Sequence, residues 1–174
     1  LYYDSQRQAG RSHEDTMKAI WMRSRDNART PMQWTDSGNA GFSSGIPWLP
    51  VNENHRLINV ACQQQDPDSI YHFYKRMIAI RKRHDVFIDG AFELILAEDP
   101  QIFAYLRKLE GETALVMANL SPDSALYRHP AKPLSSGGLL LSNIAIKPHQ
   151  HLTSFMMKPY EARVYVLPKQ EIGN

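Results

Sequence analysis

The chain has 174 residues, of which 43% are hydrophobic and 22% charged. That is the composition of a globular protein long enough to bury a sizeable core, and it excludes a disordered tail. The net charge is only +2, with both signs spread evenly along the sequence, so no electrostatic case exists for nucleic acid or an anionic membrane surface.

The single cysteine, Cys62, excludes an intramolecular disulfide and a cysteine-built zinc site. It fits a reducing, cytoplasmic setting, and with no activating pattern around it the thiol reads as an inert small side chain. No apolar run approaches the ~18 residues of a membrane span. The sequence opens Leu1-Tyr2-Tyr3-Asp4, with neither an initiating Met nor a signal-peptide pattern, which predicts a chain cut from something longer.

The first predicted element is a helix over residues 14–25. Ser12 stands three residues before Asp15 in a weak capping-box pattern, Met17, Ile20 and Trp21 follow at helical spacing, and Arg23 and Arg25 suit the C-terminal end of the dipole. Its apolar stripe is short, so it is expected to pack against another element.

Residues 26–65 show no sustained period. They hold three prolines, three glycines and the aromatic residues Trp34, Phe42 and Trp48. So long a stretch without a period is uncommon in a compact domain, and its aromatic side chains need surface to bury against, so it reads as an ordered functional loop lying over a neighbouring structure.

A second helix is predicted from Asp66, as N-cap with Pro67 at the first helical position, to about His84. Ile70, Phe73, Tyr74, Met77, Ile78 and Arg81 keep the i, i+3, i+4 spacing and give it a broad apolar face, on which Tyr71 and Tyr74 are expected to be core. The run Arg81-Lys82-Arg83-His84 is what a helix C-terminus favours and needs no nucleic-acid partner.

After Gly90 the period becomes two. Strands are predicted around 92–96, 102–106, 114–118, 139–141, 152–157 and 162–166, separated by turn signals such as Asp99-Pro100 and Glu110-Gly111. Six to eight short strands with connections this short argue for an antiparallel sandwich or barrel and exclude parallel crossovers.

The most distinctive string is Ser24-Arg25-Asp26-Asn27-Ala28-Arg29-Thr30-Pro31-Met32-Gln33-Trp34, followed by Asn39-Ala40-Gly41-Phe42 and Gly45-Ile46-Pro47-Trp48. It gathers guanidinium forks, a carboxylate, an amide and indoles, the mixture of planar donors and apolar faces that suits sugars. The same residues also suit an Arg–Asp network that stiffens a loop, and spacing alone favours that reading.

The string resembles a signature near the end of the catalytic domain in α-glucosidases of glycoside hydrolase family 13, in the group of oligo-1,6-glucosidases, dextran glucosidases and trehalose-6-phosphate hydrolases. The resemblance extends through Val51-Asn52-Glu53-Asn54, Ile58-Asn59-Val60, the helix from Asp68-Ser69-Ile70-Tyr71 to Arg81-Lys82, and Pro159-Tyr160-Glu161-Ala162 near the C-terminus. It implies an α+β fragment: helices and a long loop from the end of a (β/α)8 barrel in residues 1–88, then an all-β antiparallel C-terminal sandwich in residues 89–174.

The resemblance also implies chemistry. Members are retaining hydrolases with an aspartate nucleophile, a glutamate acid/base and a third aspartate that stabilises the transition state, and retention needs two carboxyl groups roughly 5–5.5 Å apart. Nothing in this sequence matches their motifs; the nearest text to the family's Asn-His-Asp is Asn54-His55-Arg56. The carboxylates are therefore expected upstream of Leu1, no catalytic residue is assigned here, and the chain alone is expected to be inactive.

By the resemblance Arg29 is the one substrate-binding residue, holding the terminal glucose of an oligosaccharide, while Arg25 and Asp26 stiffen the loop and Gln33 and Trp34 pack it. No cofactor, metal, nucleic-acid or membrane partner is expected beyond the missing barrel of the same protein. His149 and His151, on one face if extended, are too few for a metal site. The competing expectation is a stand-alone carbohydrate-binding or purely structural β module, and the binding version requires a row of exposed aromatic residues on the β domain.

Overall fold

The computed structural model describes residues 2–129, 138–146 and 152–167. They form two compact units, divided between Tyr71 and His72.

The first unit opens with α1 (Tyr2–Gln8) and α2 (His13–Arg23). Helix α1 is not legible in the sequence, because a seven-residue polar helix carries no apolar stripe to read. Ser12 caps α2 as its spacing predicted: its Oγ accepts the Asp15 amide at 3.0 Å and donates to the Asp15 carboxylate at 2.7 Å. The helix stops two residues short of the predicted Arg25, because Ser24 leaves it in extended conformation. Trp21 is 64% exposed.

The long loop is built from short pieces rather than left irregular. It contains 3-10 turns at Asp26–Ala28, Gly38–Gly41 and Glu53–Arg56, and a six-residue helix, α3 (Val60–Gln65). A single-turn helix has too few residues to show a period, so it reads as loop in the sequence.

The helix expected to start at Asp66 starts later, as α4 (Ile70–Arg83). Asp66 instead ends α3, and its carboxylate accepts the Asp68 amide at 2.9 Å, so the Asp-Pro pair makes a turn between two helices. The expected core role of Tyr71 and Tyr74 is also corrected: they are 38% and 56% exposed, and no residue of α4 is fully buried.

The second unit is an antiparallel sandwich. A five-stranded sheet in the order β1-β2-β3-β7-β5 uses β1 (Ala91–Ile95), β2 (Ile102–Leu109), β3 (Glu112–Asn119), β7 (Ala162–Leu167) and β5 (Gly138–Ser142). A two-stranded sheet pairs β4 (Ala125–Arg128) with β6 (Ser154–Met157). Every pairing is antiparallel, as the short connections required. Leu109 faces Glu112 across the Glu110-Gly111 turn, where Gly111 takes a φ of 80° that favours glycine. Only β4 was unread, its four residues being too few for alternation to stand out.

The core lies between the sheets. Ile102, Ala104 and Leu106 of β2, Leu115 and Met117 of β3, and Tyr165 and Leu167 of β7 meet Ala125 and Tyr127 of β4 and Phe155 and Met157 of β6. Each large side chain buried this way contributes about 1.5–3 kcal/mol. On the opposite face of the large sheet the His84–Phe87 region docks onto β2: the Arg107 guanidinium donates to the Val86 and Ile88 carbonyls, and a side chain at Gly90 would collide with the Val86 carbonyl.

Two polar features are enclosed with this core. Glu161 and Arg163, alternating inward with Tyr165, form an ion pair of 2.5 Å with both side chains almost fully buried. The second Glu161 oxygen accepts the Lys158 amide at 2.7 Å, and the Arg163 guanidinium lies 4.3 Å over the Phe155 ring. Buried ions need such complete partnering. Glu161→Ala is expected to strand the arginine and cost about 3–5 kcal/mol in denaturant unfolding, a loss that the change to alanine at exposed Glu93 would not reproduce.

The second feature is the pair Tyr127 and His129, 2.9 Å apart between Oη and Nδ1. Burial pushes the phenol pKa up and the imidazole pKa down, so both stay neutral near pH 7. Because the folded ring resists a proton that the unfolded ring accepts, the stability present above the ordinary histidine value of 6.5 is lost as pH falls below it. Thermal melts from pH 7.5 to pH 5 should therefore fall more steeply for the native sequence than for His129→Phe.

Candidate functional site

The loop that carries the distinctive string is held by backbone accounting. The first amides of a helix have no partner within it; in α3 those of Val60 and Ala61 donate to the Gln33 and Trp34 carbonyls at 2.9 and 3.0 Å. On the other side of the same segment, the Trp34 and Thr35 amides both donate to the Ala40 carbonyl, at 2.9 and 3.0 Å. Asn59, only 3% exposed, caps α3 by accepting the Cys62 amide and ties it to the preceding turn by donating to the His55 carbonyl. Gln33 adds side-chain bonds to Asn54 and to the Ile58 carbonyl, which is the packing role expected of it.

The chain then reverses through three successive left-handed residues, Asn39, Ala40 and Gly41, with φ of 51°, 55° and 67°. Left-handed backbone costs a residue with a Cβ roughly 1–2 kcal/mol, so this reversal is sustained by its surroundings. Ala40 is fully buried, and a Cβ at Gly41 would lie 2.7 Å from the Thr35 hydroxyl oxygen. The Asn39 amide donates to the Ser43 and Gly45 carbonyls at 3.1 and 3.0 Å, fixing the arm that leads to Pro47 and Trp48.

Between these parts lies a depression of about 680 Å³ lined by Asp26, Arg29, Thr30, Met32, Phe42 and Trp48, among others. Among the described residues, no hydrogen bond or ion pair occupies the Arg29 side chain. The expected Arg–Asp network is likewise absent among them: Arg25 and Asp26 are exposed, and turn hydrogen bonds of backbone and amide groups stiffen the loop instead. Trp34 and Phe42 are half exposed, and Trp48 is 99% exposed. The arrangement offers a free fork of donors beside apolar ring faces, which can bind a hydroxylated ring compound, and Asp26 is the one carboxylate among the residues that line it.

Trp48 and Asn39 stood in the string without an assigned role. The signal for Trp48 was an aromatic residue set between Pro47 and Pro50, since prolines stiffen the backbone that presents it. The other candidates resolve simply. Cys62 is an exposed free thiol. Arg81 donates to the Phe87 carbonyl and His84 pairs with Glu112 at 2.6 Å, so the basic run serves the helix end. Among the described residues no cluster of His, Cys, Asp and Glu could hold a metal, and His149 and His151 lie outside them. No helix among the described residues is long and apolar enough to cross a membrane.

Comparison with known proteins places this geometry. Residues 3–90 match the family model of the α-amylase catalytic domain, and residues 92–164 match that of the maltogenic amylase C-terminal domain. The chain belongs to the α-amylase family, glycoside hydrolase family 13. It carries the end of the family's catalytic domain followed by the C-terminal β domain. It is 54% identical over 164 residues to the probable oligo-1,6-glucosidase 3 of Bacillus subtilis (strain 168), covering 94% of this chain and 30% of that protein. It is 41% identical to the oligo-1,6-glucosidase of Parageobacillus thermoglucosidasius, covering 95% and 30%. The crystal structure of Bacillus licheniformis trehalose-6-phosphate hydrolase superposes with a TM-score of 0.88 at 35% identity, covering 97% of this chain and 31% of that one. The chain thus spans about a third of the length of the family members it matches.

Proposed function

We propose that this chain is the C-terminal portion of a retaining α-glucosidase that hydrolyses terminal α-1,6-glucosidic or related bonds of oligosaccharides, and that Arg29 binds the terminal glucose. The observation that carries this is the unoccupied Arg29 guanidinium, facing a depression walled by Phe42 and Trp48. The relatives' names support the substrate class. In this reading residues 1–88 close the catalytic barrel and residues 89–174 are its C-terminal domain, while the nucleophile and the acid/base come from the upstream barrel. A reducing cytoplasm suits the exposed thiol of Cys62.

A second reading has its own observation. Phe92 and Phe103, 54% and 45% exposed, flank Tyr105 at ring distances of 5.1 and 5.6 Å, the aromatic row that a carbohydrate-binding β module would display. Calorimetric titration of the chain with isomaltose separates the two: heat abolished by Phe103→Ala and kept in Arg29→Ala selects the module.

The leading reading is tested by joining this chain to the upstream region of the Bacillus subtilis relative. The chain alone should not turn over an aryl α-glucoside, whereas the fusion should hydrolyse isomaltose. In the fusion, Arg29→Lys should lower kcat/KM at least about tenfold, because a point charge replaces a planar fork. Turnover by the chain alone, or full activity in Arg29→Ala, would overturn the assignment.

A further inference from the structure

We propose that Asn59 is the positioning residue for Arg29: by capping α3 it aims the first amides of that helix at the Gln33 and Trp34 carbonyls, and so holds the backbone that presents the guanidinium. This inference rests on the Arg29 reading above and deepens it, from the group that touches sugar to the group that sets it in place.

The backbone of Arg29 is held from both sides. Before it lies the 3-10 turn Asp26–Ala28, which Arg29 closes by donating its amide to the Asp26 carbonyl at 2.9 Å. After it, Pro31 is buried and fixed in φ, and its ring bars Thr30 from helical backbone. The next anchor is the pair Gln33 and Trp34, whose carbonyls accept the Val60 and Ala61 amides at 2.9 and 3.0 Å. These two bonds join segments far apart in sequence. They keep their direction only while the first turn of α3 is formed.

Asn59 forms that turn. A six-residue helix is too short to persist by itself. The Asn59 side chain is enclosed within the loop unit at 3% exposure, where its Oδ1 accepts the Cys62 amide at 2.9 Å and its Nδ2 donates to the His55 carbonyl at 2.8 Å. Its carbonyl starts the ladder of the helix by accepting the Gln63 amide at 3.0 Å. The three amides that the first turn leaves over are thereby shared out: Cys62 to the cap, Val60 and Ala61 to the strand leading back to Arg29. A methyl group in place of the Asn59 amide would leave the Cys62 donor and the His55 acceptor unpaired and release the turn. Because the bonds of Asn59 run to the loop's own main chain, its effect on a sugar passes through Arg29.

The test is a double-mutant cycle in the fusion to the upstream region of the Bacillus subtilis relative. Asn59→Ala should lower kcat/KM for isomaltose about fivefold, the worth of a helix cap, and Asn59→Ser, which can still cap, should restore most of it. In the Arg29→Ala background the same Asn59→Ala change should lower the residual kcat/KM no further, since the group it positions is gone. A general folding defect would instead repeat its loss in both backgrounds. A second measurement needs no turnover. In the isotopically labelled 174-residue chain, the backbone NMR order parameter at Arg29 should fall from a rigid value of about 0.85 toward 0.6 in Asn59→Ala, while those of β3 stay unchanged. The inference is overturned if Asn59→Ala has the same effect in both backgrounds, or if the order parameter at Arg29 does not move. The Arg29 reading fails in a different way, when Arg29→Ala alone keeps full activity.

Discussion

Polar groups can leave water only in company, and that constraint shapes both units of this protein. In the sandwich it is met by Glu161 and Arg163, two charges placed where hydrocarbon would have been simpler. Each ion uses its partner, a backbone amide, a phenol and an aromatic face, so that neither is left with an unmet demand. Asn119 repeats the logic nearby, with its side chain bonded to Ser121, Asp123 and Lys158 while only 1% exposed. These bonds connect the ends of β3 and β7 to the turns beside them, so satisfying buried polar groups also fixes the register in which the strands meet.

The loop unit solves the same problem with main chain. Helix α3 is too short to be stable by itself. Its unsatisfied amides find the carbonyls of Gln33 and Trp34, and the returning chain at Ala40 supplies the carbonyl for the amides of Trp34 and Thr35. A segment with little apolar core is thereby held in one conformation, and its ring-bearing side chains are left outward. The free guanidinium of Arg29 belongs to this design: the loop's stiffness comes from amides and carbonyls, so its charged side chain is not consumed as a strut.

Legibility in the sequence followed the length and regularity of each element. Strands β1, β2, β3 and β7 were readable because alternation runs through them and turn residues mark their ends. Helix α4 was readable from its spacing, but its start was misplaced because Asp-Pro serves a turn as well as it serves a cap. Helices α1 and α3 and strand β4 were hidden, since seven, six and four residues carry too little period against a polar background. The string 24–48 was conspicuous as a motif. The separation of Arg29 from any ion pair was not, because adjacency of Arg25, Asp26 and Arg29 in sequence argued for pairing that the turn at Asp26–Ala28 does not produce.

Ala40 carries a consequence of its own. Its single methyl group sits in left-handed backbone with no exposure at all, between two other left-handed residues. Glycine would relieve the torsion but remove packed volume and free the unfolded chain, while any longer side chain would meet both the torsion and a closed wall. A diversification experiment at this reversal would thus find almost no room to move at position 40, and the exposed arm beyond it would be the variable part. The loop thus joins a tightly constrained root at Asn39–Gly41 to an exposed tip at Trp48.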